Sequence, residues 1–414
     1  MGKPTTAERP GQQNSGRDPQ EVLREVRQQL QVELRGSVLK LIQELFQQER
    51  LELVGERWSR KGPGQAHSGG TEQGSIYLEG RRVPLRYPRV ADAGSSHGLQ
   101  SYRALRSYDL MAEEVQARLV RGISSRDYGD VVGQVVEGTG LKRSTVSRAF
   151  VRASQKSLDQ INGRDLSKEQ FVGLFIDGIG FADTLVVAVM GVSREGRKVL
   201  LGLQEGHTEN TAVVSALLDN LVERGLALTE KFLAVVDGAK ALRAALLRRW
   251  EGRVLIQRCQ VHKRRNVLEQ VPRTYHAQIR RRMKMAYGMV EEAEARKVLM
   301  GLVEWLGQVN GSAAESLKEG LAETLTVVKL RLPAPLRQTF SSTNPLESVF
   351  DGVRSRSGRV KRWRRGKGRM VMRWAAATGL QVEGRLHRVR GHRLINLMIE
   401  ALETIHLDQV KEVG

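Results

Sequence analysis

Leu174–Gly180 reads LFIDGIG and Phe232–Gly238 reads FLAVVDG. Each is a short apolar run rich in β-forming residues that ends in Asp followed by Gly. The pattern predicts two buried strands whose carboxyl ends deliver Asp177 and Asp237 to the surface of a sheet. A third acid has a different setting. In Ser342–Arg356, STNPLESVFDGVRSR, capping and turn residues precede Leu346, Val349, Phe350 and Val353 at helical spacing, which puts Glu347 in the first turn of a helix. Sixty residues separate the two aspartates and 110 separate Asp237 from Glu347, so only a tertiary fold can bring them together. An Asp before Gly is by itself most often a turn residue. Taken as a set, the three acids read as a triad holding two divalent cations in an enzyme acting on DNA phosphates. Mg²⁺ prefers hard oxygen ligands, and a cation pair stabilises both the attacking and the leaving oxygen of an in-line displacement.

The sequence around the aspartates extends the fold. Thr184–Gly206 reads strand, turn, strand, with Ser193–Gly196 as the turn. Thr211–Gly225 has helical periodicity and stops at a glycine, LAVVDG follows as a strand, AKALRAALLRRW as a helix and RVLIQRC as a strand. Three strands, helix, strand, helix, strand, helix, with acids on the first and fourth strands, is the order of a ribonuclease H-like α/β domain. A generic α/β domain has the same order, and fold alone does not establish function.

Several ordered segments carry a family resemblance: ARLVRGISSRDYGDVV with LKRSTVSRAF, IDGIG with GVSREGRKVLLGL, ERGL before VVDGAKALRAAL, QRCQVHKRRNVLEQVP and STNPLESVF. From Pro19 to Leu402 the chain resembles the Mutator-type transposases of bacterial insertion sequences. The resemblance implies a catalytic and metal-binding triad of Asp177, Asp237 and Glu347 with two Mg²⁺ ions, for which Mn²⁺ substitutes. It implies double-stranded DNA partners, namely terminal inverted repeats and target DNA, and assembly as a homodimer or larger on paired ends. It also marks Cys259, His262 and Arg354 as auxiliary residues. Arg354 lies seven residues after Glu347, ~10 Å along the helix, where it would contact a phosphate or be one more Arg of a basic run. Cys259 is the only cysteine, so a closed four-ligand zinc site has too few ligands. His262, expected to open a helix, could bond a phosphate, orient a carboxylate or be structural. Pro345 stands where many relatives carry a small apolar residue.

Composition points to the same partner. Lys plus Arg less Asp plus Glu is 67 − 46 = +21, a balance suited to a polyanion. Between Arg354 and Arg373 there are ten Lys or Arg and no acid. Arg356, Arg359, Lys361, Arg362, Arg364 and Arg365 are therefore candidate phosphate contacts and Trp363 a candidate base-stacking ring, against the alternative of a solvated basic face. Ser124–Val136 and Arg143–Ser154, joined by EGTGLK, read as a helix-turn-helix that would present Lys142, Arg143, Ser144, Ser147 and Arg148 to the major groove. A helix pair that only packs on the core is the competing view.

The chain is expected to divide into a disordered arm (1–18), amphipathic helices over Glu21–Gly55 with a Gly-rich linker over Arg60–Ser75 (19–75), and a mainly helical DNA-binding region with a hairpin over Ile76–Val90 (76–168). An interrupted ribonuclease H-like core follows (169–270 and 339–414), split by an all-α insertion (271–338) that would clamp DNA. No apolar run approaches the ~20 residues of a membrane span and no signal peptide is evident, so a soluble cytoplasmic protein is expected, on the nucleoid when bound to DNA. A single cysteine leaves no internal disulfide, which suits a reducing compartment. Two alternatives remain: a domesticated, non-catalytic DNA-binding regulator, and a ribonuclease H-like nuclease that cuts without joining.

Overall fold

A computed structural model describes residues 19–55, 66–78, 81–91, 99–123, 142–181, 184–206, 211–358 and 370–405, with isolated positions 125, 128, 360 and 363. The expected arm (1–18) and the first helix of the helix-turn-helix lie outside the described residues, apart from positions 125 and 128. The chain forms two compact units, one of residues 1–115 and 123–149, the other of 116–122 and 150–414.

In the first unit, α1 (Pro19–Val54) is a single 36-residue helix. Strands β1 (His67–Leu78) and β2 (Arg81–Ala91) pair antiparallel. The sequence pattern assigned residues up to Ser75 to a linker, but strand begins at His67. Pairing with β2 satisfies the glycine-rich backbone there, and Ile76, Val83, Leu85 and Val90 join Phe46 and Tyr102 in a small core. Glu49 of α1 accepts the backbone N–H groups of Gln100 (2.5 Å) and Ser101 (3.0 Å), capping α2 (Gln100–Leu105). Helix α3 (Tyr108–Val120) follows.

Helix α4 (Arg143–Asn162) is the second helix expected of the helix-turn-helix, eight residues longer than its pattern suggested. Its carboxyl-terminal half buries Leu158 and Ile161 in the core of the second unit, whose main segment runs from Phe150 rather than from residue 169.

The second unit is built on a five-stranded mixed sheet of order β5-β4-β3-β6-β7, from β3 (Gln170–Phe181), β4 (Thr184–Ser193), β5 (Lys198–Gly206), β6 (Ala227–Val236) and β7 (Val254–Arg258). The first three form an antiparallel meander, and β6 and β7 add in parallel beside β3. Helices α5 (Thr211–Glu223) and α6 (Lys240–Trp250) cover one face by packing Val214, Leu217, Leu242 and Leu246 on Leu174, Ile176, Ala234 and Val236. The other face, lined by Phe175, Ile179, Leu233 and Val235, is covered by α4, α13 (Ala334–Phe340), α14 (Asn344–Ser357), α15 (Met370–Glu383) and α16 (Ile395–Thr404). Residues of one strand alternate between the two faces because side chains of a pleated strand point to opposite sides.

Between the sheet and α13, residues 260–329 are helical: α7 (Gln260–Glu269), α8 (His276–Gly288), α9 (Glu292–Val309), α10 (Gly311–Lys318), α11 (Leu321–Thr324) and α12 (Thr326–Lys329). Their separate core joins Val267 and Leu268 to Ile279, Leu299, Leu306 and Leu317. The insertion thus begins with α7, eleven residues earlier than the boundary at 271, while Leu330, Leu332 and Leu336 already belong to the core under the sheet. Among the described residues no helix is long and apolar enough to cross a membrane.

Candidate active site

The pleat decides where the acids point. On β3, Asp177 shares parity with Phe175 and Ile179, and on β6 the residue after Val236, Asp237, shares parity with Leu233 and Val235. Both aspartates therefore lie on the sheet face covered by α14, the helix that bears Glu347. Register adds the rest: Phe175 pairs with Val235 and Ile176 with Val236, so the next step of these parallel strands sets Asp177 beside Asp237.

Asp177 departs from the expected strand end. Strand β3 continues to Phe181, pairing Asp177 with Ala188 and Gly178 with Val187 of β4. The carboxylate emerges mid-strand because the partner on its other side, β6, stops at Val236. Asp177 is accordingly 4% exposed, and its Oδ1 accepts the N–H of Gly178 at 2.9 Å. Asp237 does end its strand. Its Oδ1 accepts the N–H of Ala239 at 2.9 Å, an Asx-type turn that starts α6. Glu347 lies in the first turn of α14, with its N–H on the Thr343 carbonyl at 3.0 Å and Pro345 where no intrahelical N–H is needed.

His262 closes the cluster. Its Nε2 is 3.2 Å from Glu347 Oε1 and its Nδ1 3.4 Å from the Thr343 hydroxyl. Ligand atoms of Asp177, His262 and Glu347 all lie within 4.8 Å of one another, a set that does not include Asp237. Helix α7 starts at Gln260, not at His262 as expected. Cys259, fully buried, is its N-cap, with Sγ accepting the His262 N–H at 3.5 Å and the Thr343 N–H at 3.4 Å. The cysteine thereby ties the start of α7 to the start of α14, and the Gln260 N–H on the Ser341 carbonyl (2.9 Å) repeats the tie.

Burial, then the neighbouring Asp237 carboxylate, push Asp177 up to about 7, against the opposing pull of His262. The hydrogen bond with Cys259, helped by the Asp177 and Glu347 carboxylates and opposed by burial, raises His262 to about 9. Burial pushes the Cys259 thiol up, but the contacts with His262 outweigh it and leave the thiol lowered. In the metal-free site this raised value favours the imidazolium at neutral pH, and a protonated ring donates a hydrogen bond to Glu347. The carboxylates fit a hard divalent cation: they supply oxygen donors, and crowding of Asp177 by Asp237 is the charge arrangement that such a cation relieves.

Arg258 and Thr343 escaped the sequence reading. The Thr343 partners lie 84 and 81 residues away, a pairing no local pattern shows. Arg258, the last residue of β7 and 8% exposed, donates to the carbonyls of Gly238 (2.7 Å) and Glu319 (3.0 Å) and pairs with the Glu319 carboxylate at 3.3 Å. Gly238 (φ 118°) and Gly320 (φ 61°) flank its guanidinium so closely that a Cβ on either would strike it. The arginine thus joins the turn after Asp237 to the helical insertion. Arg258→Ala is expected to lower stability by about 2–4 kcal/mol, because two acceptors lose a charged donor. Activity measured well below the unfolding temperature should also fall below that of the wild type, since the Asp237 turn loses its anchor. Thermal unfolding read beside an activity assay checks both effects.

The remaining expected contacts lie elsewhere. Arg354 is exposed and ion-paired with Asp351 at 3.2 Å, and Arg356 donates to the Gly352 carbonyl at 3.2 Å. Trp363, expected as a free stacking ring, is half-buried and packed against the core beneath the sheet, which draws its apolar area away from solvent. Arg359, Lys361, Arg362, Arg364 and Arg365 lie outside the described residues. Lys142, Arg143, Ser144, Ser147 and Arg148 are exposed at the amino-terminal end of α4.

The sequence profile described as "Transposase, Mutator family" matches residues 14–365. Over 258 residues the chain is 29% identical to the transposase for insertion sequence element IS6120 of Mycolicibacterium smegmatis, covering 60% of this chain and 77% of that protein. It is 25% identical to the transposase for ISRM5 of Rhizobium meliloti over 341 residues, 78% of this chain and 81% of that one. The transposase for IS256 in transposon Tn4001 of Staphylococcus aureus is 24% identical over 330 residues, 76% and 81% of the two chains.

Proposed function

This chain belongs to the Mutator family of transposases, and from that premise we propose that it binds the ends of an insertion sequence and carries out metal-dependent strand cleavage and strand transfer with Asp177, Asp237 and Glu347. The observation that carries the proposal is the convergence of three carboxylates from separate segments on one face of the sheet. An antiparallel meander extended by two parallel strands, with helices on both faces and acids on the first and fourth strands, supports a ribonuclease H-like core.

Asp177, Asp237 and Glu347 would hold two Mg²⁺ ions, with Mn²⁺ as a substitute. When bound, the ions lower the pKa of a nucleophilic water or 3′-hydroxyl and neutralise charge on the reacting phosphate. The protein's own residues position this chemistry. Burial of Asp177 keeps competing water from its carboxylate. His262 holds a proton on Nε2 and aims Glu347 Oε1 with it, while Thr343 sets the ring from the Nδ1 side. The Asx turn at Asp237 fixes this carboxylate at the end of its strand, beside Asp177. Water and a DNA hydroxyl are interchangeable nucleophiles at such a site, so one centre serves both cleavage and joining. The reading includes terminal inverted repeats and target DNA as partners, a homodimer or larger on paired ends, and action in the cytoplasm on the nucleoid.

The test is a labelled duplex carrying the element's own terminus, incubated with the protein and Mg²⁺ or Mn²⁺. The expected products are a nick that frees a 3′-hydroxyl and a joined strand. Nicking without joining would point to a nuclease, and tight binding without either product to a regulator.

A further inference from the structure

The helical insertion carries a basic groove apart from the acid cluster. Residues 260–288, spanning α7 and α8, hold eight Lys or Arg and one acid, Glu269. Between the two helices lies an open groove of about 620 Å³ whose rim includes Arg264 and Arg265 from α7 and Arg280 and Lys284 from α8. Arg265, Arg280 and Lys284 are exposed and Arg264 is half-buried. None of the four is held in an ion pair among the described residues, whereas nearby cations are occupied: Lys263 is buried on the Ser316 and Glu319 carbonyls, and Arg282 lies 5.6 Å over the Trp305 ring. Arg280 and Lys284 stand one helical turn apart on the same side of α8, ~6 Å along its axis. The rim also carries one acid, Glu269, so four cations meet a single carboxylate, an excess of positive charge that a polyanion would neutralise.

Position says where that polyanion runs. Arg265 follows His262 by three residues, so the groove opens about one turn of α7 beyond the ring that touches Glu347. We propose that the α7–α8 groove is a seat for the sugar-phosphate backbone of duplex DNA flanking the scissile bond, with Arg264, Arg265, Arg280 and Lys284 as its phosphate contacts. The partner rests on the reading above that DNA is the substrate. Contacts of this kind position a duplex without reading bases, so the seat serves element ends and unrelated duplexes alike.

The full-length protein tests this through the salt dependence of its affinity for a duplex carrying the element end, an unrelated duplex and a single strand. The variants are Arg265→Ala/Arg280→Ala/Lys284→Ala, its charge-keeping partner Arg265→Lys/Arg280→Lys, and a control that removes three exposed cations elsewhere, Lys297→Ala/Lys318→Ala/Arg388→Ala. Loss of three phosphate contacts is expected to make the slope of log K against log salt shallower by about 2.7 on both duplexes. The lysine variant and the control should stay within about 0.5 of wild type. The idea is overturned if the triple variant keeps the wild-type slope, if the control loses as much, or if only the single-strand slope changes; in each case the function proposed above survives. A wild type that binds no duplex at low salt would sink both.

Discussion

Asp177→Asn, Asp237→Asn and Glu347→Gln are each expected to lower strand cleavage at least ~1000-fold, equivalent to about 4 kcal/mol of transition-state stabilisation, while duplex affinity stays within a few-fold of wild type. Each substitution removes one charged oxygen donor and keeps the side chain's shape, so the sheet register and α14 should persist. Glu347→Gln also takes the charge out of the contact with His262 Nε2, leaving a neutral acceptor there. His262→Asn separates the two contributions: it leaves all three acids and removes only the group that orients Glu347, with an expected loss of 10–100-fold. A graded series, with the acids far below His262, is what a metal-holding triad with an orienting imidazolium requires. Cleavage within tenfold of wild type in any of the acid variants removes that carboxylate from the mechanism.

The second large effect concerns stability. Asp177 has its pKa raised from 3.8 to about 7 in the folded protein. For a raised pKa, the stabilising contribution is fully present below the unfolded value and disappears as pH climbs through the folded one. Without divalent cations the protein should therefore lose a few kcal/mol between about pH 4 and pH 7, at ~1.4 kcal/mol for each pH step of one. His262, raised to about 9, has the same sign in a higher window: its contribution is present below about 6.5 and lost as pH passes about 9. Asp177→Asn should flatten the lower window and raise the unfolding temperature of the metal-free protein. It is thus expected to gain stability while losing activity, as residues placed for function commonly do.

Cation binding follows from the same protonation. A cation competes with the proton on Asp177, so Mn²⁺ or Mg²⁺ affinity should rise with pH up to about 7 and then level off, with proton release measurable by calorimetry in two buffers. At a hundredfold excess over the dissociation constant the cation adds about 2.7 kcal/mol of stability, or roughly 5 °C for a unit of this size. Asp177→Asn should lose most of that gain. An equal gain in wild type and variant would mean that the cation binds elsewhere.

Local pattern carried much of this architecture. The strands around Val186, Leu233 and Ile256, the helix ending before Gly225 and the turn at Ser193–Gly196 are legible because period-two and 3.6-residue spacing, glycine and turn residues act over a few positions. The aspartates were found the same way, as acids after apolar runs, and Glu347 as an acid after a turn-rich cap.

Placement was different. Whether Asp177 ends its strand or lies within it depends on where a partner stops, and β6 stops at Val236, 59 residues on. That His262 serves Glu347, that Cys259 caps α7 against Thr343 and that Arg258 holds the Asp237 turn are contacts across 85, 84 and 20 residues. Trp363 showed the same limit, since its aromatic character was plain in the basic run but its packing against the core was not. The sequence by itself determined which segments are strands or helices and that three acids end up in a protein rich in positive charge. Only the tertiary structure decided that they share one face, because strand register and helix docking depend on burying apolar area between residues far apart in the chain, and no local spacing encodes that choice.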